Sequence, residues 1–115
     1  MIEIAIREYL SEILNVPVYM EVPKSIPSEY ALLQLIDSGR INQIDAATIS
    51  IVAISNSLYG AAVLSNKIKD ALLDSISLRC VSHVDLGGEI SGVDSANEKY
   101  QYELTFNFYY YKEET

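Results

Sequence analysis

The stretch that decides the fold is Ala46–Asp74, "AATISIVAISNSLYGAAVLSNKIKDALLD". Its first part, Ala46 to Ser55, is a near-continuous apolar run rich in β-branched residues. Such a run predicts a central strand covered on much of both faces. The period then changes. After Asn56 and Ser57, either of which is a good N-cap, Leu58, Ala61, Leu64, Ile68, Ala71 and Leu72 recur at helical spacing and form a core-facing stripe. Gly60, Ala61 and Ala62 keep the first turn narrow, so this helix can lie close to a sheet.

Working outward toward the N-terminus, "DSGRINQID" reads as a polar loop with Gly39 as its flexible point, and "YALLQLI", Tyr30 to Ile36, as a strand. "PKSIPSE" is a turn segment, because its two prolines cannot belong to a central strand. "VPVYMEVP" gives a short strand from Val18 to Val22. Ile2 to Leu14 is an amphipathic helix, with Ile2, Ile6, Tyr9, Leu10 and Ile13 on one stripe and Glu3 and Arg7 spaced to pair on the other side. Asn15 and Pro17 end it.

Toward the C-terminus a strand starts near Leu78 in "SLRCVSHVD". "LGGEISGVDSANE", Leu86 to Glu98, reads as a long hairpin connection, being polar with three glycines. The last strand runs from Lys99 to Tyr111. Tyr100, Tyr102, Leu104, Phe106, Phe108 and Tyr110 alternate on its buried face, and Gln101, Glu103, Thr105 and Asn107 make the other face polar. The order is α-β-β-β-α-β-β in a single domain, 1–115. It predicts an α+β fold: one mostly antiparallel sheet of four to five strands with two helices packed on one face.

The composition narrows the function. The formal charge is −8, and no cluster of Lys and Arg occurs, which argues against nucleic-acid binding through phosphate neutralisation. No apolar run approaches the length of a membrane span. "MIEIAIREYL" carries Glu3, Arg7 and Glu8 and does not read as a secretory signal. Cys80 is the one cysteine, which excludes an internal disulfide framework and fits a reducing compartment.

The inventory for chemistry is poor. Cys80 and the one histidine, His83, stand three apart on a strand and therefore on opposite faces. No second Cys–His cluster completes a zinc site. "DLGGEISGVD" lacks the oxygen ligands of a calcium loop, and no Lys follows "LGGEISG" as a phosphate-cradling loop requires. Neither an enzyme, a metal nor a cofactor is expected. What stands unexplained is apolar surface: Ile4 outside the first helix, Tyr59 and Val63 outside the second, and Tyr109 and Tyr111 on the polar face of the last strand. Together these five are the candidate subunit interface, since interfaces are rich in aromatics and poor in charge.

At this point the chain resembles the tail terminator proteins of long-tailed phages, the group long labelled minor capsid proteins in phages and prophages of Gram-positive bacteria. "IREYLSEILNVPVYMEVPKSIPSEYALLQLIDSGR" looks like that family's opening, with its helix, "VPVYxExP" strand and proline turn. "IDAATISIVAISNSLYGAAVLSNKIKDALLD" looks like its centre and "EKYQYELTFNFYY" like its aromatic ending. The resemblance implies a structural protein that forms a ring, commonly a hexamer, on the end of the tail tube. The tube protein would bind one side of the ring and a head completion protein the other, with DNA passing through non-specifically. It places the protein in the virion, at the head-proximal end of the tail, after assembly in the host cytoplasm. It brings no cofactor and no catalytic residue. An acidic loop carrying Asp85, Glu89 and Asp94 would face the channel, where few phosphate contacts let DNA slide. The alternatives are another head–tail joining or tail component, or a small-molecule-binding regulatory domain of the ferredoxin-like kind.

Overall fold

A computed structural model describes residues 2–21, 24–25, 27–41, 44–74, 81–94 and 99–110. The elements run α1 (Ile2–Ile13), β1 (Val18–Tyr19), β2 (Tyr30–Ile41), β3 (Ile44–Ser55), α2 (Leu58–Leu73), β4 (Val81–Asp94) and β5 (Lys99–Tyr110). The five strands make one sheet in the order β1-β2-β3-β5-β4. Only the β1–β2 pair is parallel; the other three are antiparallel. This is the α+β arrangement expected from the order of elements.

The inner face of the sheet follows from alternation. Ala31 and Leu33 of β2, Ala47, Ile49, Ile51 and Ala53 of β3, and Leu104, Phe106 and Phe108 of β5 are all buried. The register aligns them in rows across the sheet, such as Leu33–Ile51–Leu104. Both helices pack over these rows: α2 on β3 and β5, and α1 against α2 and the β1–β2 side. Ile6, Leu10, Leu64, Ile68 and Leu72 carry the helix side of the core. The Tyr9 hydroxyl donates to the Ala71 carbonyl at 2.9 Å and ties α1 to α2. β3, the middle strand, is covered inside, while outside Ser50 and Ile54 are buried and Ala46, Thr48 and Val52 are half-buried.

Ser57, one of the two expected candidates, is the N-cap of α2. It has extended backbone angles, and its Oγ accepts from the Gly60 amide at 2.9 Å. Ser57→Ala removes that acceptor and is expected to cost about 1 kcal/mol, read from urea unfolding with an unchanged slope.

Several boundaries differ from the sequence reading, each for a tertiary reason. β1 pairs only at Val18 and Tyr19 and does not extend to the expected Val22, which lies outside the described residues. The expected polar loop "DSGRINQID" is instead the two arms of a hairpin: Asp37 through Ile41 pair with Ile44 through Thr48. A cross-strand ion pair, Arg40 Nε to Asp45 Oδ1 at 2.9 Å, holds these polar arms together and raises the guanidinium pKa. A bulge between Leu35 and Asp37 marks where the apolar pattern breaks. β4 likewise continues to Asp94 through the stretch read as a loop, because its backbone pairs along the whole of β5.

Four side chains lie opposite to expectation. Leu58 and Ile13 are 51% and 49% exposed, since each sits at a helix terminus beyond the reach of the sheet. Glu3 is buried, and Arg7 turns its guanidinium toward the Val18 carbonyl at 3.5 Å instead of pairing on the outer side.

Candidate functional site

Among the described residues no helix covers the outer face of the sheet, and Tyr109 is the one tyrosine at its polar end. In the register Tyr109 stands between His83 of β4 and Ala46 of β3, with Gly39 of β2 beyond. The Tyr109 and His83 rings lie 5.7 Å apart at 38°. Because Ala46 and Gly39 carry almost no side chain, a hollow of about 170 Å³ opens beside the tyrosine, lined also by Asp37, Thr48 and Asn107.

One row along, polar side chains link three strands. Thr48 Oγ1 donates to Asn107 Oδ1 at 2.9 Å, and Asn107 Nδ2 donates to Asp85 Oδ1 at 3.0 Å. His83 Nε2 lies 3.4 Å from Asp85 Oδ2. This ladder fixes side chains on an open face. Among the described residues no group of three or more His, Cys, Asp and Glu is placed to hold a metal ion. Cys80 lies outside the described residues.

The five expected interface residues divide. Tyr59 is 81% exposed at the start of α2, and Ile4 is exposed on α1. Val63 and Tyr109 are half-buried, and Tyr110 continues the buried face and packs against the core. Tyr111 lies outside the described residues. Ile4, Tyr59 and Val63 lie on the helix side and Tyr109 on the outer sheet face, so they do not form one patch.

The expected acidic loop is corrected. Asp85, Glu89 and Asp94 lie in β4, not in a connection. Asp85 shares a row with Asn107 on the outer face, whereas Glu89 pairs with the inward row of Leu104. Glu89 also accepts from Lys69 Nζ of α2 at 3.1 and 3.3 Å. Strand alternation thus divides Asp85 and Glu89 between the two faces.

A second set of apolar surface residues lies at the two edges of the sheet; the apolar residues of Tyr30 to Ile36 implied its β2 members, and sequence reasoning missed those of β4. Leu35 and Ile36 of β2 and Leu86, Ile90 and Val93 of β4 are all exposed. For β4 the signal was masked, since glycines alternate with the apolar residues and read as turn punctuation. No helix among the described residues is long and apolar enough to cross a membrane. No protein-family model matches the chain, and no curated protein matches it in sequence.

Proposed function

We propose that this chain is a phage structural protein that caps the tail tube as a ring and joins tail to head, with DNA passing through its centre. The observation that carries the reading is the pairing of a closed, well-satisfied core with exposed apolar residues on several sides. Ile4, Tyr59, Leu35, Leu86 and Ile90 stand on α1, α2 and both sheet edges. A subunit in a ring needs this: one surface for the neighbour ahead, a different one for the neighbour behind, and others for tube and head. The order of elements supports the reading along most of the chain, through the resemblance to tail terminators. The net charge of −8 suits a ring that conducts DNA without holding it.

Electron microscopy of a phage lacking this gene tests the assignment. Abnormally long tails, or tails without heads, are expected; normal virions overturn it. A second head–tail joining role differs only in position, and docking of the purified chain to tube ends rather than to empty head portals separates the two. At the residue level, Tyr109→Ser and Tyr59→Ser are each expected to weaken assembly by about tenfold or more while leaving the melting temperature nearly unchanged. Sedimentation across a concentration series measures the first effect and thermal unfolding the second. A large fall in melting temperature for Tyr109→Ser would place that ring in the core.

A further inference from the structure

Among the described residues both borders of the sheet are open. β1 covers β2 only at Ala31 and Leu32, so among the described residues the outer edge of β2 from Leu33 to Ile41 pairs with nothing. β4 is the other border strand and, among the described residues, pairs only with β5. Long exposed edges invite strand addition, and proteins usually protect them with lysine or proline. β4, "VSHVDLGGEISGVD", contains neither, and nor does β2 from Leu33 onward.

Three features make these edges complementary. The first is direction. β2, β3, β5 and β4 alternate up and down across the sheet. A β4 laid beside the β2 of a second copy in the same orientation therefore continues the antiparallel pattern and keeps every helix on one side.

The second is level. Leu35, Ile49, Phe106 and Leu86 form a single inner-face row. Its middle members are fully buried, while Leu35 is 41% and Leu86 37% exposed because they end the row. In a continued sheet, Leu86 of one copy comes to rest against Leu35 of the next. The third is charge. β4 carries His83, Asp85, Glu89 and Asp94, whereas the open part of β2 carries one acid, Asp37, and one base, Arg40. Two β4 edges facing each other would set six carboxylates along one seam, three from each strand. In the β4–β2 seam only Asp85 of these acids meets β2, whose open part is balanced in charge.

We infer that the β4 edge of each subunit adds to the open β2 edge of the next copy of this chain, giving a head-to-tail sheet that runs around the assembly. The inference rests on the ring reading and names the seam that closes the ring. The occupant of the β2 edge is the Val81–Leu86 part of β4. Beyond it the neighbour's β1 takes the same lane, and the bulge between Leu86 and Gly88 lets β4 turn away. The same register leaves one like-charge contact on the outer side of the seam, Asp85 against Asp37 of the next copy.

The test uses the full chain with Cys80→Ser as background, carrying Leu35→Cys and Leu86→Cys together. Mild oxidation is expected to yield a covalent ladder that ends at the ring size, since directly opposed positions bring Cβ atoms close enough for a disulfide. Either cysteine alone should yield no ladder. Efficient dimers from Leu86→Cys alone would mean two-fold β4–β4 pairing and overturn the inference. A ring by native mass spectrometry that the double variant fails to cross-link would also overturn it and leave the ring reading standing. A chain that stays monomeric at every concentration overturns the seam, while the gene-deletion phage judges the function separately. Independently of cross-linking, Leu35→Glu should weaken assembly about tenfold or more. Asp37→Lys should strengthen it by about fivefold. No change in either variant would sink the seam.

Discussion

Phe106→Ala is expected to lower stability by about 3–5 kcal/mol and the melting temperature by more than about 12 °C. Phe106 is fully buried at the middle of the sheet. It lies level with Ile49 on one side and Leu86 on the other, with the Phe108 ring 6.2 Å away. Neighbouring strands and α2 hold their places through their own pairings, so the void left by the ring cannot collapse. Domains of this size have only about 5–15 kcal/mol of stability in total, so the loss is a large share of it. Thr105→Ala, one residue away on the open face, should change stability by less than about 0.5 kcal/mol. Equal effects from the two variants would show that the faces of β5 are assigned wrongly.

Lys99→Met is the second large effect, expected to cost about 2–3 kcal/mol. Lys99 begins β5 and is buried. Its ammonium donates to the carbonyls of Pro27 at 3.1 Å and Ser28 at 3.2 Å, and to the Asn56 side chain. All three of its donors are thus used. One cation holds the approach to β2, the turn before α2 and the start of β5 together. Methionine matches the aliphatic stem but leaves these acceptors without their donor. Glu29 adds to the same end, accepting from Ser55 Oγ at 3.1 Å. Urea unfolding of Lys99→Met reads the loss, and a cost below about 0.5 kcal/mol would mean that water replaces the ammonium freely.

Neither the role of Lys99 nor the reach of β4 could be read along the chain, whereas the core could. The alternation from Tyr100 to Phe108 places Leu104, Phe106 and Phe108 on the buried face, and the spacing of Ala61, Leu64, Ile68 and Leu72 places one side of α2 on the sheet. These are local periodicities, set by the geometry of a strand or helix before any partner arrives. Tyr59, Ile4 and Tyr109 could be singled out for the same reason, as apolar residues off the buried side.

The sequence by itself determined the order α-β-β-β-α-β-β, the buried faces of its main elements and a polar cap for α2 at Asn56 or Ser57. Only the tertiary structure decided where the polar strands end and what the acidic residues do. "DSGRI" and "LGGEISGVD" carry no strong preference of their own. They are strands because their backbone amides and carbonyls have a ladder to join in β3 and β5. That same ladder divided Asp85 and Glu89 between opposite faces and set Leu35 and Leu86 at the two ends of one row. Hydrogen-bond partners distant in sequence supply that information, and no window along the chain contains them.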